Sequence, residues 1–215
     1  MAAPMFDPGA DARDAVTGML SKLSVPRDPP LIALHVGASH EVNRWDPERF
    51  GKLARELTRR GMSVVVTGTS HERSLVERVL ACAGSSNLYD LCGRLDLRTL
   101  AALYERCTAV VVGDTGPLHL AAAVGTRTIA LFGAADPVRT GPRGAGHRVL
   151  RAPLDCVPCR ARQCLRTDRP RACMEDLTVE AVAAAVLGAV DEALPGEPGR
   201  AGGAAKRTAA AEGTR

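Results

Sequence analysis

Residues 110–125, VVVGDTGPLHLAAAVG, place a polar turn between an apolar run and a helical one. The turn holds Asp114, Thr115, Gly116 and, one helical turn further on, His119. Backbone N–H groups at the start of a helix lack intrahelical partners, and the aligned peptide dipoles add partial positive charge there. The turn therefore predicts a phosphate site at Gly116, with the Thr115 hydroxyl donating to the same anion.

The two ionisable residues of this turn need separate roles. A carboxylate beside a phosphate would repel it, so Asp114 is better suited to accept hydrogen bonds from the hydroxyl groups of a sugar. His119 could donate to a phosphate oxygen from the first turn of the helix. An ordinary capping turn, with His119 bonded to a nearby carbonyl, remains the alternative interpretation.

Small residues also follow three other apolar runs. Residues 37–40 include Ser39, and residues 68–70 precede Glu72, whose carboxylate could bridge the two hydroxyls of a ribose. Residues 133–137 form a similar loop after a further run. If these runs are parallel strands, all four loops lie at one edge of one sheet, where such folds bind ligands.

The segments that must position these loops alternate between strand and helix. Short Val-, Ile- and Leu-rich runs predict strands at 31–36, 62–67, 109–113 and 128–133. Capping residues and helical spacing predict helices at 46–61, 70–84, 96–107 and 177–194. This alternation predicts an α/β fold, a Rossmann-like doubly wound parallel sheet.

Composition limits the function classes. Hydrophobic residues make up 46% of the 215-residue chain and aromatic residues only 3%, which favours one domain with an aliphatic core. The net charge of +4 is spread along helix faces with few aromatic residues, which argues against nucleic-acid binding. No apolar run in the sequence is long enough to cross a bilayer, and the N-terminus is acidic, unlike a signal peptide. A cytoplasmic location is therefore expected.

The chain divides into three parts in this interpretation. Residues 1–29 are a leader or the remnant of an interdomain segment, 30–194 form the ligand-binding domain, and 195–215 have the composition of a disordered tail.

Four of the seven cysteines lie close together after residue 151. Cys156, Cys159, Cys164 and Cys173 have a spacing that a Cys₄ zinc site could use, although it is looser than two paired CxxC motifs. A thiol-rich packed loop is the favoured alternative. We therefore predict no metal and no cofactor.

Five segments together resemble the C-terminal half of glycosyltransferase family 9, the ADP-heptose:lipopolysaccharide heptosyltransferases. The resemblance covers about residues 30–190, and its most specific part is the DTGPLHLAAA element followed by FGAADPVRTGP. The five segments are HVGASHEVNRW, VTGTSHE, GDTGPLHLAAAVGT, LFGAADPVRTGP and CVPCRARQC…CMEDLTVEAV.

The resemblance implies an inverting, metal-independent enzyme of the GT-B type, with two facing Rossmann-like domains, whose C-terminal domain holds the nucleotide-sugar donor. In that scheme Asp114 contacts the donor sugar, Thr115 and Gly116 the diphosphate, and His119 lies beside them. The remaining implied donor contacts are Ser39 in the first phosphate loop, Glu72 at the ribose and Leu95 near the base.

The chain departs from the family pattern in two respects. Asn43 stands where the family usually has a lysine that would neutralise the diphosphate, and Arg44 could substitute if its side chain turned inward. The second departure is the acceptor-binding domain with its catalytic base, for which the roughly 30 residues before the first strand are too few. Because a general base contributes about 10²- to 10⁴-fold, we expect this chain alone to bind donor and to transfer sugar poorly.

The leading hypothesis is thus the donor-binding half of a heptosyltransferase-like enzyme of lipopolysaccharide or cell-envelope assembly, with ADP-heptose as the expected donor. The expected partners are a separate acceptor-domain polypeptide or a second copy, with peripheral contact to a lipid acceptor at the inner membrane. One alternative is a non-catalytic nucleotide-sugar-binding module or degenerate fragment. Another is a sugar-nucleotide epimerase-like enzyme.

Overall fold

The computed structural model describes residues 5–193, which form a six-stranded parallel sheet covered by helices on both faces. The spatial order of the strands is β3-β2-β1-β4-β5-β6. The strands are β1 (Leu31–His35), β2 (Ser63–Thr67), β3 (Leu88–Asp90), β4 (Ala109–Gly113), β5 (Arg127–Phe132) and β6 (Arg148–Arg151). The predicted doubly wound parallel sheet is confirmed.

Eight α-helices connect or flank these strands in the described part of the chain. They are α1 (Ala10–Lys22), α2 (Pro47–Arg59), α3 (Arg73–Ala83), α4 (Leu97–Arg106), α5 (Gly116–Ala123), α6 (Pro137–Thr140), α7 (Ala172–Glu175) and α8 (Val179–Ala193). Short 3₁₀ turns, Glu41–Asn43 and Ser70–Glu72, precede α2 and α3.

Alternate strand residues enter two separate cores, as the pleat requires. Ile32 and Leu34 of β1 pack with apolar residues of α2, α3 and α8 on one face. Ala33 packs with α1, α4 and α5 on the other. The central strands are buried on both faces, which explains their continuous apolar sequences.

Local capping follows the predicted sequence signals. Asp46 accepts a hydrogen bond from the Glu48 N–H at 2.7 Å, and Pro47 stands where a missing N–H costs nothing. Asp96 caps α4 through the Thr99 N–H at 2.8 Å. These carboxylates fix the starts of α2 and α4, and Gly84 ends α3 in the left-handed conformation.

Five strands and helices lie outside the predicted set: β3, β6, α1 and the four-residue helices α6 and α7. β3 and β6 are short edge strands. The residues of β3 are half-buried and those of β6 alternate between half-buried and exposed, so their sequences lack the apolar signal of the central strands. Helix α1 lies within residues 1–29, where a leader was expected. It packs through Val16 and Leu20 against the core that includes α4, and Arg13 pairs with Glu105 at 2.8 Å.

The strand order places a topological switch between β1 and β4. The chain moves from β1 toward β2 and β3 on one side, then crosses back to β4 and continues toward β5 and β6. In open α/β sheets, ligands bind in the crevice outside the carboxyl ends of the strands at such a point. The loops after β1 and β4 contain Ser39 and Asp114.

Two further sequence predictions concern the C-terminal segment and membrane-spanning helices. The predicted disorder of residues 195–215 lies outside the described residues. Across residues 5–193, none of the helices combines the length and apolar character needed to span a membrane.

Candidate functional site

The loops after β1 and β4 meet directly at the switch point. The Ser39 N–H lies 3.4 Å from the Asp114 carbonyl oxygen. A side chain added at Gly113 would lie 3.4 Å from the Asn43 carbonyl oxygen and 3.8 Å from that of Gly37. Two of the four predicted loops therefore form one wall, with backbone groups rather than bulky side chains at their contact.

A cavity of about 220 Å³ opens beside this contact and brings together two of the predicted site residues, Asn43 and Asp114. Asp114 is half-buried. The loop after β5 and the cysteine-bearing segment close the other side. The remaining lining residues are His40, Ala134, Ala135, Asp136, Arg139, Thr140, Arg160, Ala161 and Arg162.

Asn43 connects two loops rather than facing a ligand freely. Its side chain is buried, with 4% of the residue exposed, and its Oδ1 accepts a hydrogen bond from the Ala135 N–H at 3.2 Å. The predicted binding residue Asn43 therefore lines the cavity and also holds the loop after β5 in place.

Glu72 occupies the junction between the loops after β1 and β2. Its Oε2 accepts hydrogen bonds from the Thr69 N–H at 2.7 Å and the Thr69 hydroxyl at 3.1 Å. The first of these, together with the Thr69 side chain accepting from the Glu72 N–H, forms a capping box. The carboxylate also lies over Gly37, where any Cβ would overlap Oε1. Glu72 is thus fixed at the same sheet edge as Asp114, as the sequence predicted.

Gly37 is required by this close approach, and Gly37→Ala is expected to lower the free energy of unfolding by about 1–3 kcal/mol. The new methyl group would overlap Glu72 Oε1 and lie 2.8 Å from the Nε2 of His35. Gly116→Ala is the matched control, because a Cβ there has no atom within 4 Å. Denaturant unfolding of both variants measures the difference. A Gly37→Ala protein as stable as Gly116→Ala would contradict the packing described.

A buried polar network supports the floor of the site. His35, 5% exposed at the end of β1, has its Nδ1 3.0 Å from the Thr67 hydroxyl and 3.4 Å from the Tyr104 hydroxyl. Burial lowers the pKa of His35 to about 4, although the nearby Glu72 carboxylate opposes this shift. His35 is therefore neutral near pH 7. The sequence analysis treated it only as a strand residue.

The start of α5 has the properties expected of an anion site. Thr115 is the N-cap with an extended backbone, and its side chain makes no capping hydrogen bond. Pro117 has no N–H, and the Leu118 N–H bonds to the Thr115 carbonyl at 3.0 Å. The Gly116 N–H is therefore directed out of the helix, beside Asp114.

The other predicted residues lie at the same edge but outside the cavity. Ser39 and His119 are exposed, and Leu95 is half-buried in the loop after β3. The loop after β3 contacts the loop after β2, because the Gly93 N–H donates to the Gly68 carbonyl at 2.8 Å. Arg44 does not line the cavity. The substitution of Arg44 for the lysine is therefore not seen in this cavity, and the Arg44 Nε is instead buried without a partner in the described part of the chain.

Arginines are the cavity residues that the sequence analysis missed. Arg139 follows β5, whereas Arg160 and Arg162 come from the segment that had been interpreted through its cysteines. The motif CRARQC held a signal for the last two, since arginines two residues apart in a loop suit an anion. The motif did not indicate that this loop returns to the edge of the sheet.

The cysteine-bearing segment packs under the loop after β5. A Cβ at Gly133 would lie 2.7 Å from Met174 Sδ and 2.9 Å from Cys173 Sγ. Burial raises the pKa of the Cys173 thiol, and the neighbouring Cys159, Cys164 and Cys156 raise it further. Among residues 5–193, no group of three or more His, Cys, Asp or Glu could hold a metal ion. The zinc hypothesis stays a prediction, which metal analysis of protein purified without chelator would test.

Two larger cavities lie elsewhere on the molecule. One of about 840 Å³ lies at the amino ends of the strands, between the end of α1 and residues 24–31. The other, of about 630 Å³, is a surface groove between α2 and α8. Neither includes a residue of the four glycine-containing loops, and ligands of doubly wound sheets bind at the carboxyl ends. The smaller cavity is therefore the candidate site.

Comparison with known proteins identifies one family. The model of glycosyltransferase family 9 (heptosyltransferase) matches residues 9–168. Lipopolysaccharide heptosyltransferase 1 of Pseudomonas aeruginosa is 34% identical over 140 residues, which is 65% of this chain and 38% of that protein.

Solved structures agree on the fold. A family 9 glycosyltransferase from Veillonella parvula superposes with a TM-score of 0.75 at 22% identity, covering 87% of this chain and 53% of the other. The ADP-heptose lipopolysaccharide heptosyltransferase II of Escherichia coli gives a TM-score of 0.71 at 22% identity, covering 86% and 52%. The chain therefore spans about half the length, or less, of the relatives it matches.

Proposed function

The chain belongs to glycosyltransferase family 9, the heptosyltransferase family, and on that premise we propose that its switch-point loops bind a nucleotide-diphosphate sugar. ADP-heptose is the proposed donor, because the Escherichia coli relative of the same fold is described as an ADP-heptose heptosyltransferase. The family makes the whole protein a transferase of the GT-B type. Family membership also favours this function over that of an epimerase.

The observation that carries the proposal is the position of Asp114. This half-buried carboxylate lies between the cavity beside Asn43 and the open start of α5. A sugar in the cavity would donate hydroxyl hydrogen bonds to Asp114, while the Thr115 hydroxyl and the Gly116 N–H would hold the diphosphate. One ligand can satisfy both demands only if it joins a sugar to a phosphate.

The remaining donor contacts are proposed along the same edge. Glu72, fixed over Gly37, is assigned to the ribose hydroxyls, and half-buried Leu95 offers an apolar surface to the base. Ser39 would contribute its exposed side chain to the phosphate loop, while its N–H donates to the Asp114 carbonyl and holds the two loops together. His119 is exposed one turn into α5 and is proposed to assist at the phosphate.

The acceptor, the location of the protein and the source of the catalytic base are further parts of the proposal. We place the protein in the cytoplasm, with a lipopolysaccharide or other cell-envelope glycan as acceptor and peripheral contact with the inner membrane. An acceptor-binding domain outside these 215 residues would supply the catalytic base for an inverting transfer that needs no metal, and a second copy of the chain is the other proposed partner.

A non-catalytic nucleotide-sugar-binding module is the second candidate. The observation in its favour is Asn43, which stands at the family's lysine position and has its side chain bonded to the Ala135 N–H. Heptose transfer by the purified chain with no second polypeptide would exclude this candidate. Binding of donor without transfer, restored by an added acceptor domain, would favour the enzyme.

Calorimetric titration of ADP, GDP and UDP tests the proposed binding. One of the three is expected to bind with a dissociation constant well below 1 mM, which corresponds to about −4 kcal/mol. Asp114→Ala is expected to weaken the binding of the sugar nucleotide about tenfold while leaving the free nucleoside diphosphate within about twofold, because Asp114 is assigned to the sugar. Equal losses for both ligands would contradict that assignment. Failure of all three nucleotides would remove the proposed function.

A further inference from the structure

Three arginines line the candidate cavity and form what we call the arginine wall: Arg139, Arg160 and Arg162. Arg139 lies in α6, directly after the loop that follows β5. Arg160 and Arg162 belong to the cysteine-bearing segment, which also lines the cavity. The wall therefore lines the same cavity as Asn43 and Asp114.

The charges around the cavity are not balanced among themselves. Two carboxylates, Asp114 and Asp136, face three guanidinium groups. Asp136 is already engaged, because it caps α6 through the Val138 N–H at 3.1 Å and lies 3.7 Å from Arg160 Nε. Within residues 5–193, neither Arg139 nor Arg162 forms an ion pair. The cavity thus carries uncompensated positive charge.

The backbone that presents Arg160 is held in a specific conformation. Arg160 has a positive φ of 57°, which is costly for a residue with a Cβ. Its N–H donates to the Ala134 carbonyl at 2.7 Å, which fastens the segment to the loop after β5. Buried Cys173 and Met174 anchor the following part of the chain beneath Gly133. A strained residue held this firmly beside a cavity is consistent with a binding role.

We propose that the arginine wall binds the diphosphate of the donor and supplies the positive charge that Asn43 cannot. This inference rests on the proposed function and assigns residues within it. Guanidinium groups suit phosphate oxygens because they donate two parallel hydrogen bonds and keep their charge at every physiological pH. The cysteine-bearing segment thereby has a role that requires no metal.

The size of the cavity agrees with the sugar and diphosphate end of the donor rather than with a complete nucleotide sugar. Pockets for drug-sized ligands are typically about 300–1,000 Å³, and this one is about 220 Å³. The nucleoside would lie outside it, toward Glu72 and the loop after β3, where Leu95 is half-buried. The diphosphate would then contact both the start of α5 and the arginine wall, each of which supplies positive charge.

The Arg160→Gln/Arg162→Gln double variant tests the assignment. Its affinity for the nucleoside diphosphate that wild type binds most tightly is expected to fall about 10- to 100-fold, with affinity for the corresponding nucleoside unchanged. The salt dependence of diphosphate binding is expected to weaken, since two charged contacts are lost. Inorganic pyrophosphate is expected to compete with the nucleotide on wild type and much less on the variant. The Arg160→Lys/Arg162→Lys double variant is expected to recover part of the affinity.

Arg166→Gln is the matched control, because Arg166 lies in the same segment, pairs with Asp168 and does not line the cavity. Arg160 is 58% exposed at its side chain, so its replacement should not unfold the protein, which a thermal melt verifies. If wild type binds a nucleotide and the double variant binds it equally well, the arginine wall is wrong and the proposed function stands. If wild type binds neither nucleotide nor pyrophosphate, both fail.

Discussion

Replacing Trp45 by Ala is expected to lower the free energy of unfolding by about 3–5 kcal/mol, the range for large aromatic residues removed from a core. Trp45 is 2% exposed and packs edge-to-face on Phe50 with ring centroids 4.9 Å apart. Its Nε1–H donates to the Leu177 carbonyl at 2.9 Å, which ties the loop after β1 to the segment before α8. Denaturant unfolding measures the loss. It is followed by circular dichroism rather than by tryptophan fluorescence, because Trp45 is the single tryptophan of the chain and the variant lacks it.

Two further variants separate packing from the hydrogen bond. Trp45→Phe keeps most of the apolar contact and loses only the bond to Leu177, so a cost of about 1 kcal/mol is expected. Leu97→Ala, at a position 64% exposed, is expected to change stability by less than about 0.5 kcal/mol. A Trp45→Ala loss no greater than that of Leu97→Ala would contradict the position of Trp45 in the core.

Acid is expected to destabilise the protein through His35. Its pKa falls from 6.5 in the unfolded chain to about 4 in the folded protein, because burial disfavours the charged ring. Between these values the unfolded state binds the proton and the folded state does not. The contribution of neutral His35 to the free energy of unfolding is therefore fully present above pH 6.5. It is lost as the pH falls toward 4, by about 3 kcal/mol in total.

Unfolding free energies at intervals from pH 7 to 5 measure this loss. That range avoids most carboxylate titration, although half-buried His147, whose pKa burial also lowers, adds a smaller effect. His35→Phe removes the titrating group, so it is expected to be less stable overall but to lose most of the pH slope. His147→Asn is expected to retain most of the slope. An unchanged slope in His35→Phe would mean that His35 does not control the acid response.

The central strands and the residues at their ends were predictable because their signals are local. Strands β1, β2, β4 and β5 are buried on both faces, and that burial forces the apolar runs seen in the sequence. Once these strands are parallel, their carboxyl ends share one edge, so Asp114 and Glu72 had to lie on the same side of the sheet.

The missed parts depend on packing between distant segments. Helix α1 buries only Ala12, Val16 and Leu20 among many polar residues, so its apolar stripe is too thin to recognise. Arg160 and Arg162 reach the cavity because Cys173 and Met174 pack beneath Gly133. The burial of Asn43 likewise depends on its bond to Ala135, which lies 92 residues away in sequence.

The site itself combines fixed and open groups. Glu72 is held by hydrogen bonds from Thr69 of its own loop, and Asn43 by one from the Ala135 N–H of the loop after β5, whereas the Thr115 side chain makes no capping bond. Glu72 and Asn43 keep the loops in position, and the start of α5 is open to an anion. A rigid frame around unsatisfied donors is the arrangement that binds a diphosphate with little reorganisation.

The most direct test of the central claim is to map where the nucleotide binds, by following backbone amide NMR signals of the labelled protein during titration with ADP, or with GDP or UDP if that binds more tightly. The account predicts saturable shifts concentrated at residues 37–39, 68–72 and 114–116, with weaker shifts at Arg160 and Arg162. Shifts confined to the cavity between α1 and residues 24–31, or to the groove between α2 and α8, would contradict it.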